Sequence, residues 1–204
     1  MILWLASYPK SGNTWVRAFL SNYFLKKTTS ILDNIYNIEN FPREKMFEGI
    51  VDNELIKKNK FELFKYFIPA QKKINENNKL NILKTHNFAG SIGGYPFTNF
   101  ENSCGAIYII RDPRSVAVSH SFHHNYNLEE STSRILSTEN VANNDGYLEA
   151  RLSWKVHYLS WKKINIPKII LRYEDLINDP FDNFLQILEF IKQFKKVDID
   201  KNKI

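Results

Sequence analysis

The sequence predicts an α/β fold, a three-layer sandwich in which a central parallel sheet carries helices on both faces. Three observations point there. Four short apolar runs, Ile2–Ala6, Leu80–Lys84, Ala106–Ile110 and Ile166–Leu171, lack polar alternation, as strands buried on both sides do. Stretches with apolar residues at helical spacing separate most of them. Basic residues gather where these runs end: Lys84, Arg111 and Arg172, with Lys10 just beyond the first. Ligands of such sheets sit beyond the carboxyl ends of the strands.

In chain order, Ile2–Ala6 is the first strand and runs into the polar turn Tyr8-Pro9-Lys10-Ser11-Gly12-Asn13. Trp15, Ala18, Phe19, Asn22 and Tyr23 recur at helical spacing, which predicts a helix from Asn13 or Thr14 to about Lys26. Between Lys27 and Lys79 no strand is expected, only short helical segments such as one around Asn53–Tyr66. The second strand ends in Lys84-Thr85-His86, and the Gly-punctuated loop 87–102 is long enough to be functional or mobile. After the third strand, Asp112 can cap and Pro113 can open a helix reaching about His123, with Val116, Val118, Ser119 and Phe122 along it. A further helix is expected over Tyr147–Lys163, with Leu148, Leu152, Val156 and Leu159 on one face. Asp179-Pro180 repeats the cap-then-proline start, and Phe181, Phe184, Leu185, Leu188 and Ile191 form the stripe of the last helix. There is no internal repeat and no linker that would divide the chain.

Composition narrows the function classes. The 204 residues are 43% hydrophobic, enough for a core, and no apolar run is long enough to be a transmembrane segment. The opening MILWLASYPK has no basic region before its apolar stretch, so it reads as a strand and not as a signal peptide. Cys104 is the only cysteine, which excludes an intrachain disulfide and a Cys-based metal cage and favours a reducing, cytoplasmic location. The formal charge of +6 could serve nucleic acid, a membrane surface or an anionic ligand. Its lysines are spread over 57–79 and the tail from Lys192, the pattern of a solvated face, so no nucleic-acid partner is expected.

Three clusters carry chemistry. The turn at Lys10, Ser11, Gly12, Asn13 and Thr14 combines helix N-terminal amides, a glycine permitting close approach, a cation and hydroxyls: a cradle for phosphate or sulfate. The alternative is an ordinary strand-to-helix turn with a capping Thr14. The lysine precedes the glycine, unlike Gly-x-x-x-x-Gly-Lys-Ser/Thr, and no acidic magnesium ligand stands out, so metal-free anion chemistry is expected over a metal-dependent kinase. Arg111, closing a buried strand, needs a partner. That partner is either a planar anion such as phosphate, with Ser119 eight positions on, or Asp112 or Asp175. His86, directly after a strand and beside Lys84, is placed to take a proton from a bound hydroxyl, or simply to hydrogen-bond the loop. His120, His123 and His124 invite a metal reading, but no acidic or Cys ligand accompanies them, and solvated or capping histidines are expected.

These motifs resemble those of the PAPS-dependent sulfotransferases, which use 3'-phosphoadenosine 5'-phosphosulfate. Tyr8-Pro9-Lys10-Ser11-Gly12-Asn13-Thr14-Trp15 is similar to their 5'-phosphosulfate loop. The run from Arg111-Asp112-Pro113 to Ser119 is similar to their 3'-phosphate motif, and Lys84-Thr85-His86 to the segment with their general base. Arg172-Tyr173-Glu174-Asp175-Leu176 with Asn178-Asp179-Pro180 matches the later strand–loop–helix. The Trp4-Leu5-Ala6-Ser7 opening with Asn13 looks more like the bacterial branch than the animal enzymes acting on phenols and steroids. The resemblance implies a P-loop-like sandwich and sulfuryl transfer to a hydroxyl or amine of a small-molecule, glycan or lipid acceptor, releasing PAP without a metal.

Residue by residue, it implies that Lys10 holds the 5'-phosphosulfate and neutralises the departing bridge oxygen. Ser11, Gly12, Asn13 and Thr14 donate to the 5'-phosphate, and Trp15 stacks near adenine. Arg111 and Ser119 bind the 3'-phosphate, Tyr173 lies near adenine, His86 is the base and Lys84 steadies the sulfuryl group. The family continues with a Ser-Phe segment and a late Gly-x-Trp loop over the cofactor, and this sequence reaches Ile204 without either. The expectation is therefore one sulfotransferase-like domain over 1–204 lacking that cover. It would be either an active enzyme or a weak PAP/PAPS-binding protein completed by a partner chain or homodimer. Acceptor choice falls to 27–79, the loop after His86 and 131–147, where Tyr36, Phe41, Phe88, Tyr95 and Phe97 either suit a ring-bearing acceptor or pack the core.

Overall fold

The computed structural model describes residues 1–25, 30–52, 54, 59–139, 141–144 and 147–204. Lys26, at the expected end of the first helix, and residues 53 and 55–58 of the expected segment 53–66 lie outside them. Four parallel strands form the sheet: β1 (Ile2–Ser7), β2 (Asn81–Thr85), β3 (Ser103–Ile110) and β6 (Lys168–Arg172), in the order β2-β1-β3-β6. Between β3 and β6 lies the hairpin β4 (Val141–Asn144) and β5 (Tyr147–Ala150). The helices are α1 (Asn13–Leu25), α2 (Phe67–Asn75), α3 (Pro113–His124), α4 (Leu128–Leu136), α5 (Trp154–Lys163), α6 (Tyr173–Asn178) and α7 (Pro180–Lys192), with shorter turns between them.

Side chains alternate across a strand, so a strand buried on both faces must be apolar at every position. In β1, Ile2, Trp4 and Ala6 enter one core with Phe41, Phe47, Phe67 of α2 and Trp161 of α5. Leu3 and Leu5 enter the other, with Val16 and Leu20 of α1 and Phe184, Ile187 and Ile191 of α7. Helices therefore cover both faces, as the sequence implied. Phe41, Phe88 and Phe97 are buried in the first core, whereas Tyr36 and Tyr95 are exposed, so only the three phenylalanines of this set pack the interior. None of the described helices is long and apolar enough to cross a membrane.

Three local expectations differ from the structure. The helix expected from Tyr147 begins at Trp154: Ser153 accepts from Val156 N (3.3 Å) as its cap, and Leu152 turns the chain at φ 54°. In α3, Val116, Ala117 and His120 face inward and Phe122 is 84% exposed, because the small Ala117 lets α4 approach and Ser131 Oγ donate to Ala117 O (2.7 Å). In α7, Phe181 is exposed and Ile187 and Phe190 are buried in addition to Phe184, Leu188 and Ile191.

Candidate functional site

The turn between β1 and α1 holds two residues in the left-handed region, Lys10 (φ 66°) and Gly12 (φ 96°). Curling the backbone this way turns amides toward the helix N-terminus, whose first N–H groups have no intrahelical partner. Only glycine fits at position 12, since a Cβ there would lie 2.4 Å from Tyr173 Cδ2. Asn13 Nδ2 ties the turn to its strand through Leu5 O and Ser7 Oγ (both 3.2 Å).

Arg111 joins this turn from β3. Its Nη1 donates to Lys10 O (2.8 Å), and its guanidinium lies 4.3 Å from the centre of the Tyr173 ring. The two carboxylates weighed as partners are engaged elsewhere: Asp112 with Arg114, Asp175 with Arg172. Among the described residues neither Lys10 nor Arg111 makes an ion pair. Burial and then the Arg111 charge hold the Lys10 ammonium below its ordinary pKa. Two cations without carboxylates call for an anion. Ser11 Oγ and Arg111 Nε are buried and unpartnered, two donors that a bound oxyanion would satisfy; Asn13 Oδ1, also buried and unpartnered, only accepts and would not be satisfied by one. Ser119 shares a small cleft with Arg111.

A pocket of about 390 Å³ opens beside the turn, and Lys10, Gly12, Asn13, Thr14, Lys84 and His86 all line it. Trp15 does not; it packs edge-on to Phe184 (5.5 Å) and lines a different cleft along α1. His86 Nδ1 sits 2.7 Å from Ser7 O, and a carbonyl only accepts, so Nδ1 carries the proton and Nε2 the lone pair. Burial, reinforced by Lys84, keeps its pKa well below the ordinary histidine value.

Sequence reasoning missed part of this pocket. Glu149 and Arg151, from β5 and the residue after it, are buried in its wall, with Arg151 Nη2 2.6 Å from Glu149 Oε2. Lys84 Nζ is 3.6 Å from Glu149 Oε1. Burial would raise the Glu149 carboxyl, but His86, Lys84 and Arg151 outweigh it and hold it at about 2. Burial lowers Lys84 to about 8 despite Glu149. Asn40, His123 and His124 complete the wall. His120 sits behind them, its Nδ1 bonded to Ser131 Oγ (3.1 Å). Among the described residues no group of three or more His, Cys, Asp or Glu is placed to hold a metal ion. The only signal for Glu149 and Arg151 in the sequence was two charges in a run now seen to be a strand.

A sequence model of the sulfotransferase domain matches residues 2–202. The chain belongs to the sulfotransferase family. Among its curated relatives, Sulfotransferase 1B1 of Canis lupus familiaris is 28% identical over 204 residues, spanning 93% of this chain and 58% of the relative. Sulfotransferase 1E1 of Homo sapiens is 26% identical over 194 residues, with the same coverage of each. The chain thus spans under two thirds of the length of these relatives. The fold is shared with mouse sulfotransferase SULT7A1, solved with PAP (TM-score 0.58, 18% identity, 98% of this chain and 60% of that one). It is shared also with retinol dehydratase, solved with retinol and PAP (TM-score 0.56, 18% identity, 99% and 62%).

Proposed function

We propose that this protein transfers the sulfuryl group of PAPS to an acceptor hydroxyl or amine, with residues 1–204 working as one unit. The observation carrying the reading is the pair of carboxylate-free cations, Lys10 and Arg111, joined through Lys10 O beside buried unpartnered polar atoms. When bound, PAPS supplies an activated sulfuryl group and two separate anionic ends. Lys10, the α1 amides, Ser11 and Thr14 hold the 5' end, and Arg111 with Ser119 the 3'-phosphate. The Tyr173 ring, already stacked on Arg111, flanks the adenine side, while Trp15, packed on Phe184 in a separate cleft, is assigned no contact with it.

His86 Nε2 takes the proton of the acceptor, since its Nδ1 is committed to Ser7 O. Its lowered pKa keeps it a free base at neutral pH. Lys84 and Lys10 neutralise oxygens as charge shifts toward the bridge, so most of the work is positioning and electrostatics. No residue is asked to form a covalent bond.

Isothermal titration with PAP, adenosine 5'-phosphosulfate and ATP, with and without EDTA, tests the donor site. PAP should bind best and EDTA should change nothing; equal affinity for all three nucleotides would remove the 3'-phosphate site. Transfer from labelled PAPS to an acceptor panel then separates an enzyme from a protein that only binds PAP.

A further inference from the structure

The wall of the pocket opposite Lys10 and Thr14 is built from charged and amide side chains. Glu149 is buried, and its Oε2 takes both Nε (2.9 Å) and Nη2 (2.6 Å) of Arg151. Its Oε1 has only Lys84 Nζ at 3.6 Å, beyond a hydrogen bond. Asn40, bridged to Lys84 along the edge of β2, lines the same pocket, and its Oδ1 is buried with no partner. Two residues that line the pocket with His86 therefore carry under-used acceptor oxygens, the Asn40 oxygen lying just beneath the surface. The aromatic residues that would suit a flat apolar acceptor are spent elsewhere, Phe41, Phe88 and Phe97 in the core.

We propose that the acceptor is a polyhydroxylated molecule, a saccharide or similar polyol, whose neighbouring hydroxyls donate to Glu149 and Asn40 while one hydroxyl meets His86. This rests on the sulfotransferase reading above and adds the acceptor class. An acceptor without hydroxyl donors leaves these oxygens unsatisfied, however well it suits Lys10, Lys84 and Arg151. A phenol or steroid offers a single hydroxyl and would leave buried polar groups facing a ring. A site built to hydrogen-bond hydroxyls discriminates strongly against analogues lacking them. Arg151 holds the carboxylate in place and keeps it charged.

The test uses the full chain saturated with PAP, after titration has established PAP binding by itself. Saturation-transfer NMR is run with methyl glycosides of glucose, galactose, mannose and N-acetylglucosamine, and with 2-naphthol and a 3-hydroxysteroid. At least one glycoside should bind more tightly than naphthol and the steroid. Glu149→Gln and Asn40→Ala should each weaken it by tenfold or more, circular dichroism confirming that each variant is folded. Tighter binding of the phenol or steroid overturns the proposal, as does a glycoside affinity that neither variant moves. A chain that holds PAP but no glycoside overturns the acceptor class and leaves the donor site standing. A chain that fails to hold PAP overturns the donor reading instead.

Discussion

A guanidinium at the end of a buried strand is costly unless something satisfies it, and Arg111 is satisfied only in part. One donor reaches Lys10 O, its face rests on Tyr173, and Nε is left over. Replacing it with Ala should lower affinity for PAP by about 2–5 kcal/mol, the usual loss for truncating a buried charge-assisted contact. Affinity for adenosine 5'-phosphosulfate, which lacks the 3'-phosphate, should change far less. Comparable losses for both ligands in paired titrations would mean that Arg111 only props up the Lys10 turn. His86→Ala should leave PAP affinity largely intact and cut turnover by roughly 10²–10⁴. An unchanged rate would move the base to another pocket residue, His123 being the next on the wall. These residues were legible because strand, glycine turn and helix lie within one short stretch. Glu149, Arg151 and Asn40 were not, because only the packing of β5 and β2 around a shared pocket brings them together.

The base is also held from behind by elements distant in sequence. Tyr108 of β3 donates to His157 Nδ1 (2.9 Å), and His157 Nε2 donates to His86 O (3.1 Å), which fixes the tautomer of the α5 histidine. Trp161 Nε1 donates to Asn87 O (2.9 Å), one turn further along the helix. A helix thereby grips the turn that presents the base. His157→Phe removes both bonds, and a base displaced by about an ångström can lose up to 10²-fold in rate. The expected outcome is a kcat lowered by roughly 10–10² fold with KM nearly constant, and recovery in His157→Gln, which keeps one donor and one acceptor. A merely structural role would lower Tm without splitting kcat from KM. The central strands β1 and β3 were readable because burial on both faces forces apolar runs, and the partly buried edge strands β2 and β6 from shorter apolar stretches. The start of α5 was not: Leu148, Leu152 and Val156 repeat at i and i+4, yet Leu148 belongs to β5. The Ser153 cap was the local cue that outranked that spacing.

Across the molecule, the sandwich keeps several histidines uncharged, and this gives the stability a direction with pH. The layered architecture followed from the strand pattern alone, but which histidines the layers enclose depends on tertiary packing. His157 is fully buried, and burial lowers it to about 3; burial, then His124, lowers His120 to about 4. His86 is lowered as well. An unfolded chain protonates histidines near pH 6.5, so below that value it binds more protons than the native state does. The contribution of each neutral histidine is complete above about pH 6.5 and is lost as pH falls toward its folded value. Within that window each costs about 1.4 kcal/mol per pH unit. Glu149, held at about 2 against an ordinary 4.5, adds a loss of the same sign below 4.5. Urea midpoints should therefore fall steadily from pH 7 to pH 5, before the carboxylates take part. His157→Phe should start from a lower midpoint and show a shallower slope over that range. A wild-type midpoint that stays flat between pH 7 and pH 5 would mean that these histidines titrate normally in the folded state, which would also remove the electrostatic case for His86 as a free base.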